Sequence, residues 1–193
     1  MSDPGSMAYN WRKIIWNHRQ QCAYGVHGNS GYLFRFDPQN NHLELLQRIS
    51  SAPSQASGMY DQFSYGYLGL LIHEGTQVLY CLCGGPIAGE KHNSLQLAKG
   101  GTGGPENRHL VTYSLQQHTY RDHGALFYAN GERPTYVNSM ELGNDGYIYS
   151  LARLERAGSI MTDLIRIPTP AHYKEQPVWR KIYLPDRRTE SKK

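Results

Sequence analysis

The feature that most constrains this chain is a hairpin pattern that recurs three times. Residues 64–83 read S-Y-G-Y-L-G-L-L-I-H, E-G-T-Q, V-L-Y-C-L-C. Two apolar, aromatic-rich runs divided by a short polar break with a glycine are the mark of an antiparallel β-hairpin. Residues 22–36 (C-A-Y-G-V-H, G-N-S-G, Y-L-F-R-F) and 135–152 (T-Y-V-N-S-M-E-L, G-N-D-G, Y-I-Y-S-L-A) follow the same design. Gly31, Thr76 and Tyr147 occupy matching points, 45 and 71 residues apart, and the second interval falls to about 46 once an insertion of about 25 residues at 84–108 is set aside. Like hairpins at like spacing predict a repeated β-unit.

The rest of the chain fits around these hairpins. Residues 37–41 (D-P-Q-N-N) make a strong turn, and 42–49 (H-L-E-L-L-Q-R-I) lies between it and the Ser-, Ala- and Pro-rich segment 50–58. Leu and Glu would suit a helix there, but a short run between two breakers favours a strand. Further strands are predicted at 109–115, 118–127 and 163–167, with irregular connections at 128–134, 154–162 and 168–177. The tetrapeptide Trp-Arg-Lys-Ile opens 11–16 and recurs within 178–184, so both ends of the chain are predicted to supply outer strands of repeated units. The 15 tyrosines suit half-buried strands, and the 20 glycines and 10 prolines suit turns, so the expected class is all-β. One domain is expected over 7–186, after a leader-like M-S-D-P-G-S at 1–6 and before a solvated charged tail at 187–193.

Several function classes are disfavoured. The net charge of +4 is modest and its basic residues are scattered outside the tail, which argues against a nucleic-acid partner. Cys22, Cys81 and Cys83 are an odd number in no zinc-finger spacing, so neither a disulfide framework nor a structural metal site is expected. The nine histidines include no H-x-H or H-E-x-x-H spacing, and the Gly-rich run 100–104 lacks the Lys-Ser/Thr ending of a phosphate loop. No cofactor is expected. Asp122 and His123 are neighbours, but adjacent side chains of a strand point to opposite faces, which argues against their pairing. No apolar run is long enough to span a membrane and no signal sequence opens the chain, which leaves the compartment open.

With these repeats, which read aromatic-Gly, then G-x-(Leu/Ile)-(Tyr/Phe), then an aliphatic outer strand over about residues 11–184, the chain resembles the β-propeller superfold. Neither the Trp-Asp pair of one propeller family nor the double-Gly kelch signature occurs in register. The resemblance implies a propeller-like domain of about three to four four-stranded blades, either a compact ring or part of a larger one. An incomplete ring leaves sheet edges open, so a second copy or further blades are expected to cover them. Propellers of this loose type are similar to carbohydrate-active proteins, including ulvan lyases and oligogalacturonate lyases.

In a propeller the loops entering each innermost strand share a face with the loops joining second and third strands, and ligand sites open there. That rule makes 17–21, 50–62 and 128–134 entering loops, and 37–41, 84–108 and 153–162 second-to-third loops, so the long insertion falls on the expected functional face. The residues expected to line it are Tyr136, Arg133, Tyr65 and His92 as a catalytic set, with His18, Arg19, Tyr24, Asp61, Lys91 and Arg153 binding substrate. On an acidic polysaccharide, Arg would neutralise a uronate carboxylate while His or Tyr removes and delivers protons. The same residues would serve a lectin that binds a poly- or oligosaccharide without reacting. A non-catalytic scaffold for a protein partner is the alternative of a different class.

Overall fold

Turn chemistry builds the sheets. The computed structural model describes residues 14–26, 32–49, 51–52, 69–85, 107–128, 130–131, 136–156, 159–172 and 181–184. Strands β1 (Ile14–Asn17), β2 (Cys22–Val26), β3 (Tyr32–Asp37) and β4 (His42–Arg48) form one antiparallel meander. A second runs through β5 (Leu70–His73), β6 (Val78–Gly85), β7 (Asn107–Ser114) and β8 (Thr119–Tyr128), and a third through β9 (Tyr136–Leu142), β10 (Ile148–Arg156) and β11 (Ser159–Ile167). The last strand, β12 (Lys181–Leu184), lies beside β8 in parallel. The fold is all-β and propeller-like, with the sheets as blades.

The pairs Asn17↔Cys22, Asp37↔His42, His73↔Val78 and Ser114↔Thr119 each close a four-residue loop. The last loop residue is left-handed every time: Gln21 (φ 52), Asn41 (φ 47), Gln77 (φ 53) and His118 (φ 53). Such a residue lets a turn rejoin a ladder with right-handed twist. The residue before three of these loops caps the loop through its side chain. Asn17 Oδ1 accepts from the Arg19 and Gln20 amides at 3.1 and 3.2 Å, Asp37 Oδ1 from Gln39 at 2.9 Å, and Ser114 Oγ from Gln117 at 3.1 Å.

The assignment of strands in the first blade differs from the expectation, while the hairpins of the second and third blades do join first and second strands. β1 lies against β5 and β5 against β9, so the first strand of each sheet is the inner one. Gln21 and Gln77 each donate a side-chain bond of 2.7 Å to the carbonyl three residues earlier, which marks their turns as equivalent. Asn17 Nδ2 donates to Gln77 Oε1 at 2.9 Å, and the His18 amide to Glu74 Oε1 at 3.0 Å, tying the two turns together. The hairpin at 22–36 therefore joins second and third strands, and the segment 11–16 supplies an inner strand, not an outer one. The matching points are Gln21 and Gln77, 56 positions apart. The segment 154–162 is not a loop either, because Leu154 pairs with Met161 and β10 and β11 run on to Arg156 and Ser159. β12 does sit at a sheet edge, but as a fifth, parallel strand of the second sheet.

Packing explains which strands alternate. Tyr24, Val26 and Leu33 of the first sheet meet Leu79, Cys81, Cys83 and Val111 of the second. On its other face the second sheet, through Leu71, Leu82, Leu110 and Leu126, meets Met140, Ile148, Ile165 and Ile167 of the third. Covered on both sides, β6 reads as a continuous apolar run, whereas β4 at the rim is largely exposed. Gly69 lets the second sheet lie close against the third, since a Cβ there would meet Met140 Sδ at 2.9 Å, and Leu82 Cβ of its own sheet at 3.0 Å. All three cysteines are buried thiols outside any disulfide.

Candidate functional site

The corrected strand order sorts the connections to two ends of the blades. At one end lie the short loops 18–21, 38–41, 74–77 and 115–118, together with the turn between β9 and β10. At the other end second strands finish, third strands begin and the third blade's first strand begins: β6 stops at Gly85, β7 starts at Asn107, β10 stops at Arg156 and β9 starts at Tyr136. The chain also enters the second blade there, through Ser51 and Ala52.

Among the described residues, a buried polar constellation lies at this second end. His109 Nδ1 lies 2.8 Å from Asp122 Oδ2 and 3.0 Å from Oδ1, with side chains 10% and 8% exposed. Asp122 also accepts the Ala52 amide at 2.7 Å and the Gly124 amide at 2.8 Å. A bulge delivers the carboxylate: β8 has one extra residue where His109 pairs with Ala125 and Val111 with Asp122, and Gly124 takes φ 106 to allow it. Burial pushes the Asp122 carboxyl up, but the His109 bond and charge and the two amides outweigh that and hold it below the usual carboxylate range. An ionised, buried carboxylate on Nδ1 fixes the imidazole's orientation and leaves Nε2 for proton transfer.

His123 takes no part in this pair, in keeping with its alternation on the strand. It is buried on the other face, where its Nε2 lies 2.8 Å from Thr112 Oγ1. Burial first, then the Arg121 charge, depress its pKa to about 4, so it is neutral near pH 7.

The expected site residues divide. His18 and Arg19 are exposed on the loop between β1 and β2, at the short-turn end, and do not belong to the face assigned to them. The segment 37–41 moves with them, because it joins third and fourth strands. Tyr136 and Arg153 are brought together: their backbones are direct partners across β9 and β10, at the second end. Asp61, Tyr65, Lys91, His92 and Arg133 lie outside the described residues, as does most of the insertion. His109 is not among the residues singled out from sequence. Its place near the head of the strand that follows the insertion is the signal that could have found it.

Tyr24 is buried between the first two blades. It lies in one register row with Arg35 and Glu44, facing Tyr113 and His118 across a gap of about 400 Å³. Its hydroxyl donates to Gln20 Oε1. Burial, then the neighbouring Cys22, push the phenol well above its ordinary range, so it stays protonated and cannot act as a base. The Tyr113 hydroxyl is 3.3 Å from His118 Nδ1, and Arg35 is 3.8 Å from Asp37, so these polar groups largely answer one another. No group of three or more His, Cys, Asp or Glu residues that could hold a metal ion occurs among the described residues. None of their helices is long and apolar enough to cross a membrane.

No family model matches the sequence, and no curated protein matches it. Among solved structures the chain is similar to part of the tricorn protease, with a TM-score of 0.45 and 9% identity over 82% of this chain. It spans about 14% of the length of that chain.

Proposed function

We propose that this chain is a carbohydrate-directed propeller acting as a lyase on an acidic polysaccharide, with the Asp122-held His109 as its proton-transfer group. The observation that carries the reading is the buried His109–Asp122 pair at the end of the blades where the long insertion leaves and returns. In the reaction, Nε2 of His109 takes the proton from the sugar carbon beside the carboxylate. The electron pair left there forms a carbon–carbon double bond as the bond to the glycosidic oxygen on the next carbon breaks, and that oxygen takes up a proton. Arg133 and Arg153 would neutralise the uronate carboxylate, and Tyr136, the backbone partner of Arg153, would deliver the second proton. Tyr65, His92, Asp61 and Lys91 join the proposal by their sequence positions between the blades' strands. Asp122 acts as a positioning residue, holding the imidazole by Nδ1.

The test is incubation with uronate polysaccharides while following the ultraviolet absorbance of unsaturated product. His109→Gln should lower kcat by about 10²–10⁴-fold, with the fold retained. Full activity in that variant would remove His109 from the mechanism. Tight polysaccharide binding with no product in the parent would leave the lectin-like reading, and neither binding nor product would leave the protein-partner scaffold.

A further inference from the structure

The gap between the first two blades lies at the short-turn end, walled by Gln20 of the loop 18–21 on one side and His118 of the loop 115–118 on the other. Its volume, about 400 Å³, is within the range of about 300–1,000 Å³ that small-molecule sites use. Polarity is graded through it. The floor is apolar and aromatic, built from the buried Tyr24, Tyr113 and Leu115 with the half-buried Leu46 beside them. Glu44 and His118 are exposed at the mouth, and Arg35 is half-buried. Arg35 and Glu44 are direct partners across β3 and β4, so both side chains stand on the face turned to the gap. Opposite charges in that position ordinarily pair. Here they do not: among the described residues the ion pair of Arg35 is with Asp37, on its own strand and at 3.8 Å, and Glu44 has no hydrogen bond or ion pair. The Glu44 charge is instead felt across the gap, where it adds to burial in raising the Tyr113 phenol above its ordinary range.

We propose that this gap is a binding site for a free α-amino acid with an apolar side chain, its carboxylate on Arg35, its ammonium on Glu44 and its side chain on the tyrosine and leucine floor. The charges select against simpler ligands. A neutral polyol would cover Arg35 and Glu44 without a counter-charge for either, and a lone anion or lone cation would leave one of them so; covering a charge without a partner is costly. A ligand that carries both charges on one carbon meets the pair as register sets it, side by side. Its apolar tail then lies on the floor, where it removes Leu46 and Leu115 from water. His118 holds the facing wall: its ring stands edge-on to Tyr113, with centroids 6.4 Å apart and Nδ1 3.3 Å from the phenol oxygen. A ligand there touches both blades, so its binding ties the first to the second. The site is at the opposite end of the blades from the His109–Asp122 pair, and the inference stands whether or not the chain acts on a sugar.

Titration calorimetry of the whole chain with L-leucine tests it, against two analogues that each lack one charge: isocaproate, without the ammonium, and isoamylamine, without the carboxylate. The expected result is saturable leucine binding with a Kd at or below about 1 mM, and binding of each analogue weaker by about 10-fold or more, the share of a charge-assisted hydrogen bond. Glu44→Gln should weaken leucine by about 10-fold and leave isocaproate unchanged, and Arg35→Gln should weaken leucine likewise and leave isoamylamine unchanged. Glu44 is exposed, so its variant keeps the fold. Should Arg35→Gln fail to fold, the two analogues on the parent decide the carboxylate contact. No saturable leucine binding up to about 10 mM overturns the proposal. An analogue that binds as tightly as leucine overturns it as well, and so does leucine binding that both variants keep, which would put the site elsewhere. Methyl glucoside binding that Glu44→Gln abolishes, with leucine inert, would assign the gap to a neutral sugar and overturn it too.

Discussion

The two ends of the blades are built by opposite means. At the short-turn end, Asn17, Asp37 and Ser114 each cap their own loop within three positions, and a left-handed residue finishes it. At the other end the decisive bonds are long in sequence: His109 reaches Asp122 across 13 positions, and Asp122 reaches the Ala52 amide across 70. Local bonds make a regular floor that sets how the strands leave it. Long-range bonds hold the buried His109–Asp122 pair, and they depend on that floor for their aim.

If that contrast is right, the largest effect on stability should come from the long-range end. Asp122→Ala strips three donors of their acceptor and should cost about 3–4 kcal/mol, read from urea unfolding. A loss below about 0.5 kcal/mol, the size of an ordinary surface change, would mean the pair does not anchor the blades.

Acid should expose the same end next. The folded pKa of His123, about 4, lies below its usual 6.5, so as pH falls the unfolded chain binds the proton first. Stability should be full above about pH 6.5 and decline by on the order of 3 kcal/mol as pH falls to about 4. The Asp122 carboxyl, held below its usual value, should lose its contribution only below that window. His123→Gln should flatten the upper limb of a stability-against-pH curve and leave the lower limb in place; an unchanged upper limb would locate the acid sensitivity elsewhere.

The floor should yield less. Asn17→Ala removes two caps and leaves Gln77 Oε1, which is buried, without its donor, at a cost of about 2 kcal/mol. Hydrogen exchange should show the loss spreading from the 18–21 loop to the 74–77 loop; protection lost in only one would mean the turns are not coupled. Smallest of all, Asn41→Gly relieves a left-handed residue on an exposed loop and should change stability by about 0.5 kcal/mol or less in either direction. A loss above about 1 kcal/mol would show the Asn41 side chain doing more than tolerating its backbone.

Much of this was legible. The polar break Glu74-Gly75-Thr76-Gln77 between two apolar runs marked its hairpin correctly, and Asp37-Pro38 marked the turn before β4. The strand between that turn and the Ser- and Pro-rich linker was likewise readable, because a short run between breakers has little room for a helix. His18 and Arg19 were assigned to the wrong end, because a hairpin joining first and second strands looks the same as one joining second and third. The pairing of His109 with Asp122 was hidden because it depends on a bulge, and Gly124 alone does not say which neighbour the bulge will aim.

By itself, then, the sequence determined the all-β class, most of the strands and the turns between them, since these rest on contacts a few residues apart and on local backbone preference. Only the tertiary structure decided which strand of the first blade is innermost, and with it which end of the blades carries the loops 18–21 and 38–41. It also decided that the imidazole held by Asp122 belongs to His109 and not to its neighbour His123. The physical reason is the same in both cases: side-chain alternation fixes faces along one strand, but the partner on a face is chosen by how whole sheets pack.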